Sequence, residues 1–214
     1  NKIHIIAAGS LMELLLDYQS FPVGSVDFMW LRPLCFNEFI RASEEHLVLD
    51  YIPDITSENE LPAGIHAKIN KLLQLYFIIG GMPEAVSRYI ETKSLHDVGI
   101  VHNSLMQSYI QDLNKYRGRI SYSGLDSLLE RIPSQIGRQI SYAKLEPDWR
   151  AEKTKNALHF LEKVLLITRI SAVSAHGLPL GSMIAEKKFK YAFLDIGLMQ
   201  YQCGIIPNEI LQTK

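Results

Sequence analysis

The chain has 214 residues, 47% hydrophobic and 21% charged, with a formal net charge of −1 and a mean hydropathy of +0.02. That is the composition of a globular protein with enough apolar surface for a core and room for two domains, and it excludes a disordered chain. The longest apolar runs, such as Tyr76–Ile79 and Val164–Ile167, are too short to span a bilayer. No membrane partner is therefore expected, and no signal peptide is visible. A chain that starts at Asn instead of Met reads as one whose true N-terminus has been removed. Cys35 and Cys203 lie far apart in apolar settings. They are expected to be buried free thiols in a reducing, cytoplasmic compartment.

The first segment, Ile3-His4-Ile5-Ile6-Ala7-Ala8-Gly9-Ser10, is a short apolar run that ends in Gly-Ser and enters an apolar helix at Leu11–Leu16. A buried parallel strand delivers a small hydroxyl to a phosphate site in this way. Ser10 is accordingly the candidate catalytic residue, as a γ-phosphate sensor; capping of the next helix is the simpler alternative. The chain has no GxxxxGK[S/T] loop to cradle a phosphate. A loop is expected over Tyr18–Gly24 and a second strand over Val26–Leu31, closed by Arg32-Pro33. A helix is expected over Asn37–Ala42, because Phe36, Phe39 and Ile40 have helical spacing. Residues 43–62, polar and acidic with Pro53 and Pro62, read as a boundary or loop.

From Ala63 to Lys115 the pattern is helical. Ile65, Ile69, Leu72, Leu73 and Tyr76 form one apolar stripe. Gly80-Gly81-Met82-Pro83 stops that helix and starts another, which runs through Ala85, Val86 and Tyr89. A third stripe follows at Val98, Val101, Leu105, Tyr109 and Ile110. Next come a helix with Leu125, Leu128, Leu129 and Ile132, an extended piece at Gln139–Tyr142, and a small helix over Tyr142–Leu145 that Ser141 can cap. A longer helix is expected from Pro147 to about Val164, then two strands, Leu166–Val173 and Ala185–Leu194. Helix, short strand, helix, helix, hairpin is the order of a winged helix-turn-helix.

On a helical wheel Ala151, Thr154, Ala157, Leu158, Leu161 and Leu165 form the buried stripe, and Glu152, Lys155, Asn156, His159 and Lys163 face away. Amide and lysine side chains on the outer face of a third helix suit base edges and phosphates. Lys155, Asn156, His159 and Lys163, with Lys187, Lys188 and Lys190 on the returning strand, are the candidate nucleic-acid-binding residues. Glu152 and Glu162 on the same helix oppose phosphate. Residues 150–190 carry eight basic and three acidic side chains, whereas residues 1–62 carry three basic and ten acidic. The basic stretch reads either as a polyanion-binding segment or, more simply, as a solvated face. The seven histidines show no metal-like spacing, and no HExxH, CxxC, GxSxG or paired-carboxylate motif occurs. Asp195, at the end of a strand, reads as a helix cap before it reads as a catalytic acid.

Four segments together resemble the C-terminal portion of a prokaryotic AAA-type ATPase family with a DUF4143-type C-terminal domain. They are Ile5–Ser10, Leu31-Arg32-Pro33-Leu34-Cys35-Phe36-Asn37-Glu38-Phe39, Tyr76–Glu84 and Phe189–Leu198. The resemblance implies an intact parent that uses ATP and magnesium through Walker elements lying before Asn1, with Ser10 as sensor. It also implies a fragment that itself binds neither. Two positions depart from the family pattern: Gly24-Ser25 stands where Gly-Arg is usual, and Cys35 replaces a serine.

The expected fold is mainly α with some β. Residues 1–62 are read as a C-terminal remnant of a P-loop α/β core, 63–118 as a helical segment, 119–200 as a winged helix and 201–214 as the start of a truncated region. The expected function is an ATPase whose nucleotide state couples to the winged helix. The alternatives are a DNA-binding or regulatory module and a protein-docking module, so DNA or a partner protein would be the partner.

Overall fold

A computed structural model describes residues 6, 8–9, 27–52, 61–115, 124–174, 177 and 184–205. The chain divides into two units, one of Asn1–Leu31 and Gln135–Phe193 and the other of Arg32–Ser134 and Leu194–Lys214. The described residues are mainly helical with a small antiparallel sheet. Of the expected strand at Ile3–Ser10 only residues 6, 8 and 9 are described; they form no regular element and Ile6 is exposed, while Ser10 and the expected helix at Leu11–Leu16 lie outside the described residues. Where Val26–Leu31 was expected as a strand, residues 27–31 form no regular element, and Phe28, Met29, Trp30 and Leu31 are exposed. An apolar run becomes a strand only where a neighbour pairs with its backbone and covers its face, and among the described residues nothing does either for this run.

The second unit is helical. Helix α1 (Phe36–Ala42) starts where Glu38 reaches back, its carboxylate accepting from the Cys35 backbone N–H at 2.8 Å. A short α2 (His46–Leu49), unforeseen in so polar a stretch, buries Val48. Helices α3 (Ala63–Ile79), α4 (Pro83–Thr92) and α5 (Leu95–Lys115) follow the sequence expectation closely. Gly80 closes α3 at φ +74°, a left-handed conformation costly for any other residue. Pro83 opens α4 at the position where a missing N–H does no harm. The Ser94 hydroxyl accepts from the Asp97 N–H and caps α5. Phe39, Ile40, Val48, Ile69, Leu72, Ile79, Ala85, Val86, Val98 and Val101 make one core, with Tyr76 packed against Phe36 and Phe39. Helix α6 (Leu125–Arg131) buries Leu125, Leu128 and Leu129. The last helix, α9 (Ile196–Gln202), packs against α3 and α5.

The first unit contains α7 (Tyr142–Leu145), α8 (Ala151–Lys163) and an antiparallel pair, β1 (Ile167–Val173) and β2 (Ile184–Phe193). Ser141 stands at the start of α7, but its side chain makes no capping bond. Helix α8 begins at Ala151, not Pro147, because residues 147–149 form a turn closed by the Trp149 N–H on the Glu146 carbonyl. Thr154, Ala157, Leu158 and Leu161 are buried as the wheel predicts, Phe160 joins them, and Ala151 is exposed. Leu165, at φ +61°, reverses the chain into β1. The strands pair from Ile167 with Phe193 to Ser171 with Phe189, then jump to Ala172 with Ala185. Residues 186–188 thus bulge from the ladder. On the far edge of β2 the Ile140 N–H donates to the Phe189 carbonyl at 3.1 Å, so the extended piece at Gln139–Ser141 joins the sheet by one bond.

Candidate functional site

Among the described residues, two places gather polar side chains. In the helical unit, Asp195 is 4% exposed. One of its oxygens accepts from the Leu198 N–H at 2.9 Å, capping α9, and the other accepts from the Gly81 N–H at 2.6 Å. The Gly81 carbonyl accepts from the Leu34 N–H at 2.7 Å, and the Leu34 carbonyl accepts from the Tyr76 hydroxyl at 2.8 Å. Buried beneath α3, His102 is within 2.9 Å of the Ile79 carbonyl through Nε2. A carbonyl only accepts, so Nε2 carries the proton. Burial pushes the Asp195 carboxyl up, opposed by the Gly81 and Leu198 amides, and pushes the His102 imidazole down. Tyr76 is pushed up to about 12, first by burial and then by Asp195. The glycines leave no room for a substrate here. A Cβ at Gly80 would strike the Asp195 carboxylate, and one at Gly197 would lie 2.5 Å from the Ile79 carbonyl. Asp195 is therefore a cap, as its position at a strand end implied, and also a tie between α9 and the Gly80-Gly81 turn.

The second place is open. A groove of about 820 Å³ in the first unit is lined by the Gln139–Tyr142 piece, Lys155 of α8, Arg169 and Ser171 of β1, and Ile184 and Phe189 of β2. None of these is acidic. The Arg169 guanidinium lies 4.2 Å from the centre of the buried Phe189 ring, and Tyr142 packs against that ring at 5.4 Å. Period-two alternation explains why Arg169 is there: Ile167, Arg169 and Ser171 share the inward face of β1 and are more covered than Thr168, Ile170 and Ala172. That parity was the signal for Arg169 in the sequence, and reading only the lysines missed it.

The expected nucleic-acid residues separate. Lys155 lines the groove, while Asn156 and His159 are exposed and Lys163 is half-buried along the same helix. Glu162 is held by the buried Tyr191, whose hydroxyl donates to it at 2.6 Å, and it sits 3.8 Å from His159. This bond and burial both push the Tyr191 phenol up. Lys190 pairs with Ile170 on the outer face of the hairpin, opposite Phe189 and Tyr191, so it does not extend the helix face. Lys188 is exposed at the end of the bulge, and the Lys187 side chain lies outside the described residues. Cys35 and Cys203 are free, but both are exposed instead of buried, since they flank the ends of α1 and α9. Among the described residues no group of three His, Cys, Asp or Glu side chains is placed to hold a metal ion, and no helix is long and apolar enough to cross a membrane.

The class defined by these elements is a mainly α protein with a small antiparallel sheet. Residues 70–209, more than half of the chain, match the family of the domain of unknown function DUF8612, and the chain belongs to that family. This corrects the resemblance to the AAA-type ATPase family with a DUF4143 domain. The segments that carried it are short, and two of them, Tyr76–Glu84 and Phe189–Leu198, lie within the DUF8612 match. In this structure Leu34, Tyr76, Gly81 and Asp195 hold one another in place, a packing role that needs no nucleotide. ATP and magnesium as cofactors were implied by that resemblance, whereas Ser10 was read from its place at a strand end and lies outside the described residues. No curated protein and no solved structure matches the chain.

Proposed function

We propose that the module formed by residues 135–193 is a winged-helix-like binder of nucleic acid. The observation that carries this reading is the groove, whose described lining has Lys155 and Arg169 together with hydroxyls and a carboxamide, and among the described lining residues no carboxylate. Its walls from α8, β1 and β2 lie in the stretch where basic side chains outnumber acidic ones, eight to three over residues 150–190. Phosphate contacts supply most of the affinity of such proteins and make it salt-dependent. Within the module, the extended piece at Gln139–Ser141, α7, α8 and the β1–β2 pair follow the chain order of the later elements of a winged helix-turn-helix.

Fluorescence anisotropy of labelled oligonucleotides with the whole chain, repeated across a salt series, tests the reading. Affinity falls as salt rises, with a log–log slope of about −2 to −4 for a site of a few cations. Absent or salt-independent binding sinks it. A second reading, a protein-docking module, is favoured by the exposed Ile170, Val173 and Ile184 on the hairpin. It is the reading left standing if no oligonucleotide binds.

A further inference from the structure

We infer that the groove takes an unpaired strand in preference to a duplex, with a base lying against Arg169 and Tyr142 and its phosphate beside Lys155. The inference rests on the nucleic-acid reading above and goes beyond it in naming the form of the ligand. The argument starts from shape. The groove is concave and its lining comes from the Gln139–Tyr142 piece, α8 and both strands. A duplex presents phosphates outward and keeps its bases stacked and paired, so a protruding helix reads it and a hollow does not. An unpaired strand can turn a base into a hollow.

The chemistry of the lining agrees with that shape. Arg169 lies over Phe189, and Tyr142 packs on the same ring. Guanidinium planes and phenol rings are surfaces on which unpaired bases stack. Gln139, Ser141 and Ser171 offer donors and acceptors to a base edge, and only an unpaired base exposes its Watson–Crick edge.

The helix face that would have to enter a duplex is less suited. Glu152 is exposed one turn before Asn156, and Glu162 lies about two turns after Lys155, beside His159. Both would meet phosphate with like charge. Among the described lining residues the groove has no such group.

The test compares, with the whole chain, a short oligothymidylate, a hairpin duplex with the same number of phosphates, and an oligothymidylate in which abasic units replace the central bases. The single strand binds about tenfold tighter than either of the others, as expected when stacking contributes. Gln139→Glu, a change at an exposed lining position, weakens the single strand about three- to tenfold, and Lys190→Gln on the outer face leaves it within about twofold. Equal affinity for duplex, or for the abasic strand, overturns the unpaired-strand inference and leaves nucleic-acid binding standing. Absence of salt-dependent binding to all three overturns both.

Discussion

The two polar clusters are built from similar parts and finished differently. Around Asp195 each carboxylate oxygen meets a backbone N–H and the residue is 4% exposed. In the groove, Lys155 is exposed, Arg169 is half-covered and the hydroxyls face an open hollow. Buried polar groups are normally satisfied by the protein itself, because leaving them bare is costly. Polar groups that line open space can also meet something outside the protein. The difference separates a closed structural tie from an open, candidate binding surface in a chain where charge and motif alone had blurred them.

The comparison can be broken at either end, and the largest effects belong to the buried cluster. Gly81→Ala places a Cβ into the Leu34 carbonyl and 2.8 Å from the Leu34 nitrogen, both backbone atoms that cannot swing aside. It costs roughly 3 kcal/mol or more in urea unfolding. Asp195→Ala orphans two buried amides and costs about 2–4 kcal/mol, while Asp195→Asn, which keeps one acceptor, costs less. If Asp195→Ala unfolded at the same urea concentration as the parent, the tie would carry no weight. Tyr191→Phe removes the bond to Glu162 and costs about 1–2 kcal/mol.

The smallest expected effect is one of pH. Because burial lowers the His102 pKa in the folded chain, the unfolded chain binds a proton first as pH drops. His102 therefore contributes stability that is fully present above about 6.5, its unfolded value, and lost as pH falls from there toward its folded value. Asp195, raised from 3.8, acts in the opposite sense at lower pH: between 3.8 and its folded value, stability declines as pH rises. The slope just below neutrality should flatten in His102→Gln; a thermal melting series that shows the same slope in both proteins removes His102 as its source.

Much of the helical unit was legible in the sequence. The Gly-Gly-Met-Pro break between α3 and α4 and the helical course of α3, α4 and α5 follow from local chemistry: glycine freedom, proline at the first helical position, and stripes of period 3.6. The hairpin too was visible as two β-type runs. The late start of α8 was not, because a turn closed by Glu146 overrode the helical pattern after Pro147. Val26–Leu31 misled for a different reason: strand-forming residues specify a strand only when another strand lies beside them. Of the groove, Lys155 could be seen on the helix face. Its conjunction with Arg169, Tyr142 and Phe189 depends on pairing between segments distant in the chain, which no local pattern encodes.

Lys155 and Lys190 differ in where the fold puts them and not in chemistry, so one paired measurement tests the central claim directly. Salt-dependent affinities of Lys155→Gln and Lys190→Gln for the same single-stranded oligonucleotide would be compared with the parent. The account predicts that Lys155→Gln binds about three- to tenfold more weakly with a salt slope shallower by about 0.7, while Lys190→Gln stays within about twofold. Equal losses in both variants would contradict it, since they would mean that net charge and not the groove holds the strand.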